Sequence, residues 1–216
     1  IMKQLMFLLT FSTFSSIVAA QVNFPQSPVQ TTNASSQAGN NNLFIGASTG
    51  NSNAGFNNSI LGSFAGPQVN AASDNNTFVG FESGANTTAD NNTFMGFRSG
   101  LSNTGGATTG NNNTFIGSRC GEFNLTGYSN TFIGTNTGLN NISGFQNLFI
   151  GMEAGGLSQN QASGSSNVFI GHWSGATYTT ASNNIGIGIN SARNLLSGQN
   201  NIFIGLRSGF SNTIAS

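Results

Sequence analysis

The chain has 216 residues, of which only 5% are charged, against roughly 25% in average soluble proteins. Its five basic and five acidic residues cancel to a formal net charge of zero, so it lacks the basic field that attracts nucleic acid or anionic lipid. Glu and Lys, which favour helices, contribute four residues, whereas Gly contributes 30 and Asn 34. Leu, Ile, Val and Phe total 53 residues, too many for a disordered chain. The composition therefore indicates a Gly/Asn-rich β-structural protein.

Residues 1–20 have the layout of a secretory signal peptide. Met2-Lys3 is a short positive start, residues 5–18 are an apolar stretch, and Val18-Ala19-Ala20 offers small side chains at a cleavage site. Thr and Ser interrupt the stretch, which is shorter than the about 20 apolar residues of a membrane-spanning helix. We therefore predict a secreted protein, extracellular or at the cell surface, with no membrane span after cleavage.

From Asn42 onward, one nine-residue motif occurs ten times, and we number its positions one to nine. The copies read NLFIGASTG, NSILGSFAG, NTFVGFESG, NTFMGFRSG, NTFIGSRCG, NTFIGTNTG, NLFIGMEAG, NVFIGHWSG, NIGIGINSA and NIFIGLRSG. They begin at Asn42, Asn58, Asn76, Asn92, Asn113, Asn130, Asn147, Asn167, Asn184 and Asn201, spaced 16 to 21 residues apart. Such a near-constant period is typical of a solenoid with loops of variable length.

Each motif opens as a short strand that ends at a glycine. Segments rich in Asn, Gly and Ser follow, and they suit turns around a second, weaker strand. We predict an all-β fold, a parallel β-solenoid of about ten coils of about 17 residues, over residues 40–216. Residues 21–39 are predicted to cap the first coil, because Pro25 and Pro28 suit an edge strand.

Equivalent positions in successive coils form rows up the stack. The third row is Phe in eight copies, including Phe78, Phe94, Phe115 and Phe132, with Ile60 and Gly186 as the exceptions. The fourth row is aliphatic or Met throughout. Neighbouring residues of a strand point to opposite faces, so both faces of the strand are apolar, and the sequence leaves open which one is interior.

The remaining rows have structural interpretations. The first row is predicted to form an amide ladder that fixes the register (Asn76, Asn92, Asn113 and Asn130). The fifth row is Gly in every copy and marks a corner (Gly80, Gly96, Gly117 and Gly134). The eighth row is always small and predicts a tight inward corner, which accounts for the single cysteine, Cys120. The seventh row carries five of the nine charges that follow the predicted signal peptide, together with Trp173, and is predicted to be a solvated edge that contacts a partner (Arg98, Arg119, Glu153, Trp173 and Arg207).

The residues that carry catalytic or metal-binding chemistry are scarce. The single histidine, His172, excludes a multi-histidine metal centre. Asp74 and Asp90 occupy equivalent places before two motifs, where turn-capping aspartates are a better interpretation than the separated acid pair of a hydrolase. We therefore predict no cofactor, no metal and no enzymatic activity.

The motif Asn-Thr-Phe-Ile-Gly-x-x-Ser-Gly resembles the Ser-Val-Ala-Ile-Gly repeats in the head domains of trimeric autotransporter adhesins. It is more similar still to the Asn-Thr-Phe-Ile-Gly arrays of repeat-rich bacterial surface and tail-fibre-like proteins. The resemblance covers about residues 40–209 and implies a left-handed parallel β-roll, often trimeric, used for adhesion. The chain departs from that pattern in having Phe where the adhesin repeats have a small Ala, and in having longer coils.

The sequence thus predicts a secreted structural or adhesive protein that presents its loops and seventh row to a host or environmental surface or glycan. The alternative is a solenoid that binds ice or polysaccharide, since Thr77, Thr93, Thr114 and Thr131 form a short threonine row. The apolar residues on both strand faces also predict a homo-oligomer, either a trimer or an end-to-end assembly.

Overall fold

The computed structural model describes residues 41–50, 55–67, 73–103, 110–157 and 162–214. The predicted signal peptide (1–20) and capping segment (21–39) lie outside these residues. Each motif forms one strand of three residues, which begins after the leading Asn and ends before the fifth-row Gly. The strands are β1 (Leu43–Ile45), β2 (Ser59–Leu61), β3 (Thr77–Val79), β4 (Thr93–Met95), β5 (Thr114–Ile116), β6 (Thr131–Ile133), β7 (Leu148–Ile150), β8 (Val168–Ile170), β9 (Ile185–Ile187) and β10 (Ile202–Ile204).

The ten strands form a single parallel sheet in chain order, β1 to β10. Every pair aligns equivalent motif positions, so that Phe94 pairs with Phe115 and Phe115 pairs with Phe132. Each coil therefore stacks directly on the preceding one. The predicted all-β parallel solenoid is confirmed.

The predicted second strand of each coil is absent from the described return segments. These segments contain turns and two isolated bridges, Asn141 with Ala162 and Ser182 with Gln199. Their backbone donors alternate between the next coil and the local turn: Gly121 N donates to Thr137 O in the next coil, whereas Asn124 N donates to Gly121 O. Backbone N–H groups that bond within a local turn do not pair with the next coil, so a continuous ladder does not form.

The third row fills the interior. The rings of Phe78, Phe94, Phe115, Phe132, Phe149 and Phe169 are fully buried. Neighbouring rings are nearly parallel, with centroids 4.8 to 5.2 Å apart. The third row is therefore the core, and the second and fourth rows face outward.

The ninth-row glycines make room for these rings. A Cβ atom at Gly138 would lie 2.4 Å from carbons of the Phe132 ring, and φ at Gly138 is +57°. The exception, Ala192, lies in the one coil whose third-row residue is Gly186, so no ring opposes its methyl group. The buried Leu195 of the same coil joins the core cluster, which supplies apolar volume in the coil that lacks a Phe ring.

We predict that Gly138→Ala lowers the free energy of unfolding by about 2–4 kcal/mol. The substitution places an Ala in a left-handed backbone conformation, and its methyl group is too close to the Phe132 ring. The control is the opposite change in the same row: Ala192→Gly should change the free energy of unfolding by less than about 1 kcal/mol. Denaturant titrations of both variants provide the measurement. Equal costs would contradict the ring contact as the reason for glycine in this row.

The first-row asparagines join successive coils through the backbone, and all but Asn42 and Asn201 at the two ends are buried. Asn113 Oδ1 accepts a hydrogen bond from Asn130 N, which begins the next coil, at 2.9 Å, and Asn113 Nδ2 donates to Gly127 O in the return segment of its own coil at 2.9 Å. The same oxygen contact recurs at every step from Asn42 to Asn201. The predicted ladder exists, but it runs mainly from side chain to backbone rather than from amide to amide.

A second ladder of buried side-chain amides lies at the twelfth residue of the coil, counted from the leading Asn. The sequence predicted no ladder at this position. Asn124 Nδ2 donates to Asn103 Oδ1 at 3.0 Å, and Asn141 Nδ2 donates to Asn124 Oδ1 at 2.7 Å. Tyr178 extends this ladder by donating its hydroxyl to Asn141 Oδ1 at 2.6 Å, two coils away. Burial raises the pKa of Tyr178 well above its ordinary value, so that the hydroxyl remains a donor.

Candidate functional site

The seventh row lies at a corner where the backbone is left-handed. Its φ angles are between 54° and 59° in all ten coils, from Ser48 to Arg207. Most of these residues are half-buried, whereas Ser48, Phe64 and Arg207 are exposed. The prediction of a solvated edge therefore describes only the ends of the row.

The charges near this row pair with one another within the solenoid. Arg98 Nε lies 2.5 Å from Glu82 Oε2 on the preceding coil, with the two side chains 40% and 25% exposed. Arg119 Nε lies 2.5 Å from Oε2 of Glu122, a buried residue that the sequence analysis had not singled out. Burying Glu122 requires such a partner, because an isolated buried carboxylate is strongly unfavourable. Arg98 and Arg119 therefore join structural ion pairs.

Trp173 lies at the centre of a larger polar cluster. Its indole N–H donates to Glu153 Oε2 on the preceding coil. The guanidinium of Arg193 lies 4.3 Å from the Trp173 ring centre, and the His172 ring centre is 4.2 Å away. Because Arg193 stacks on the indole, that face of Trp173 is covered.

At the end of the described coils, Arg207 is exposed and lies over the Phe210 ring at 4.7 Å. The structure therefore distributes the five predicted contact residues along the stack rather than gathering them in one cleft. Arg193, which joins Trp173 and Phe210, was missed because it lies outside the nine-residue motif.

Asp74 and Asp90 also hold coils together. Asp74 Oδ1 accepts a hydrogen bond from Phe56 N at 2.7 Å, and Asp90 Oδ1 accepts one from Asp74 N at 2.9 Å. Each carboxylate thus accepts a hydrogen bond from the backbone of the preceding coil, whereas the sequence predicted caps of local turns. Their equivalent placement on adjacent coils was predicted correctly.

The outward face of the sheet carries no charged residue. It consists of the second and fourth rows, which lie on either side of the buried third row. In the fourth row the exposed members range from Ile133, at 36%, to Ile204, at 66%. The second row is Thr in β3 to β6 and Leu, Val or Ile in β7 to β10.

Apolar side chains are also exposed at the adjoining corner, in the sixth and seventh rows. Phe64, Phe81 and Phe97 lie on three successive coils and are 44–47% exposed. The ring centres of Phe64 and Phe81 are 5.8 Å apart, and those of Phe81 and Phe97 are 6.0 Å apart. Further along the stack, Met152, Ile189 and Leu206 continue the sixth row and are also exposed. Exposed apolar side chains therefore occur at this corner as well as on the sheet face.

Cys120 occupies the buried eighth row, as predicted. Its Sγ donates to Phe132 O at 3.3 Å, and Ser99 Oγ makes the equivalent bond to Phe115 O at 3.0 Å. Burial raises the pKa of the Cys120 thiol well above its ordinary value. The neutral thiol therefore contributes stability below the ordinary thiol pKa, and this contribution is lost as the pH rises above it.

We predict that Cys120→Ser preserves the fold, because Ser99, at the equivalent position of the preceding coil, already makes the equivalent bond to Phe115 O. The free energy of unfolding should change by less than about 1.5 kcal/mol, and the alkaline loss of stability should diminish. In the native protein, Cys120 should react with a thiol reagent only as fast as the coil opens. Labelling in native buffer as fast as in denaturant would contradict this assignment.

Other kinds of site are not formed by the part of the chain that the structure describes. There, no three His, Cys, Asp or Glu side chains gather closely enough to hold a metal ion. Over the same residues, no helix is both long and apolar enough to cross a lipid bilayer. Comparison with known proteins adds no relative: no family model, curated protein or solved structure matches this chain.

Proposed function

We propose that this chain is a secreted, non-enzymatic structural or adhesive protein, a rigid rod that presents its outer rows and loops to a surface. The observation that carries this proposal is the use of the five carboxylates. Asp74 and Asp90 accept backbone N–H groups, and Glu82, Glu122 and Glu153 pair with Arg98, Arg119 and Trp173. A paired-carboxylate enzyme needs an acid and a base free to exchange protons with a substrate, whereas here every acid joins parts of the solenoid.

Rigidity is the second support. Ten coils at about 4.8 Å each extend over about 43 Å between the first and last strands. Each step is held by strand pairing and a buried Asn contact, and the central steps also by stacked Phe rings. A rod built in this way keeps its outer rows at fixed spacing, so that many weak contacts with an extended surface act together.

Adhesion can be tested with beads coupled to the purified protein. We expect these beads to resist detachment by flow from a host-cell, glycan-coated or mineral surface, because the rod makes many contacts at once. The matched control is Asn113→Asp, which is expected to destabilise the stack. It differs from the natural chain only in having a carboxylate in place of one side-chain amide. Retention equal to that of uncoupled beads on every surface would contradict adhesion.

The alternative, binding to ice or to a crystalline polysaccharide, has one specific observation in its favour. Thr77, Thr93, Thr114 and Thr131 pair in register on the outward face of β3 to β6. Inhibition of ice recrystallisation, or retention on chitin or cellulose alone, would support this alternative. Loss of that activity in Thr114→Val, but not in Thr88→Val outside the sheet, would locate it on this row.

A further inference from the structure

The outward face of the sheet carries no charge at any of its twenty second- and fourth-row positions. Its fourth row is apolar from β1 to β10, and its second row is aliphatic from β7 onward. In a monomer this face leaves a continuous apolar stripe in water, with Leu61, Met95 and Ile204 all more than 40% exposed. Stripes of this extent normally mark an interface.

We propose that a second copy of this chain covers the outward face, with the two sheets packed laterally against each other. This inference goes beyond the proposed function, because copies can associate whether or not the protein adheres to a surface. It commits to one contact: the second and fourth rows of one copy lie against the same rows of the other.

The spacing of the face favours a second copy over another kind of partner. Its side chains repeat at every coil, about 4.8 Å apart, in two columns about 7 Å apart. A partner must have the same period for its side chains to fit between these at every step. Another copy of the chain has that period by construction, and interdigitated sheets pack about 10 Å apart.

The charges also favour self-association. The chain has a formal net charge of zero, so two copies approach without long-range repulsion. The described charges lie in other rows, and the pairs Glu82 with Arg98 and Glu122 with Arg119 are neutralised within each copy. A strongly charged partner would find no complementary group on this face.

The dimensions of the surface set the scale of the contact. The second and fourth rows, as two columns over ten strands, cover roughly 430 Å². Each partner in a standard interface buries about 800 Å², so these two rows supply about half of that area. The sixth row, with Phe81, Phe97, Met152 and Leu206 exposed, lies at the corner that follows the fourth row and adds apolar surface beside these columns. We therefore place the sixth row at the margin of the contact.

The test is the mass of the purified protein in solution and its response to one charge on the face. We expect a mass of two or more copies by light scattering at micromolar concentration. Ile133→Asp, on β6, should reduce it to one copy while circular dichroism and the unfolding midpoint show an intact fold. The matched control, Leu196→Asp, introduces the same charge at a residue of similar exposure on the return segment and should leave the assembly unchanged.

Thiol labelling distinguishes lateral packing from stacking of coil ends. In a Cys120→Ser background, Ile133→Cys should label at least about tenfold more slowly than Leu196→Cys, because its labelling awaits dissociation. Dilution should remove the difference. A stable monomer, or an assembly in which Ile133→Cys labels as fast as Leu196→Cys, would overturn the proposal, and the second result would indicate end-to-end association.

Discussion

Phe115→Ala should lower the free energy of unfolding by about 3–5 kcal/mol, because it removes a fully buried ring and leaves a cavity. The Phe115 ring stacks on Phe94 at 4.9 Å and on Phe132 at 4.8 Å, so that both contacts are lost together. The neighbouring coils cannot close the gap, since strand pairing fixes their spacing. Thermal and denaturant unfolding followed by circular dichroism provide the measurement.

Phe123→Ala is the control for this prediction. Phe123 lies eight residues further along the same coil and is 37% exposed, so its truncation should cost well under half as much. If both variants unfolded at the same midpoint, the third row would not be the core. A large effect at Phe123 alone would place the core among the return segments.

Asn113→Asp should destabilise the stack by about 3–5 kcal/mol at neutral pH, because it buries a charge that has no cationic partner. The amide of Asn113 donates to Gly110 O and Gly127 O, both at 2.9 Å. A carboxylate would instead place an oxygen against these two carbonyl oxygens. Burial favours the protonated acid, so stability should fall as the pH rises through the ordinary range of Asp, and the penalty should shrink in acid.

The preceding residue provides a control of identical chemistry. Asn112 is exposed, with φ at +59°, a left-handed conformation that Asp tolerates. Asn112→Asp should therefore change the free energy of unfolding by no more than about 0.5 kcal/mol. Similar losses in the two variants, or a pH-independent loss at Asn113, would contradict the burial and bonding assigned to the first row.

Several features of the candidate surface lay beyond the sequence. The seventh row was identified by its charges, but charge alone does not reveal that Arg98 reaches Glu82 or that Arg193 stacks on Trp173. Those contacts depend on which coils lie side by side and on where residues outside the motif return. The link between Gly186 and Ala192 was visible as two exceptions in one copy, and only the ring contact of the other copies explains it.

The period, the strand that opens each coil, the glycine corners and the small eighth row could be predicted from the sequence, because each depends on local conformation repeated ten times. Which apolar face is interior became visible only in the folded chain. Both faces of the strand are apolar, and the choice depends on the closure of the coil: the glycines of the ninth row leave space on one side for a ring that a Cβ atom would fill. The folded structure also showed that Asn124 and Asn141 form a second buried ladder, because their amides find partners only when successive coils stack in register.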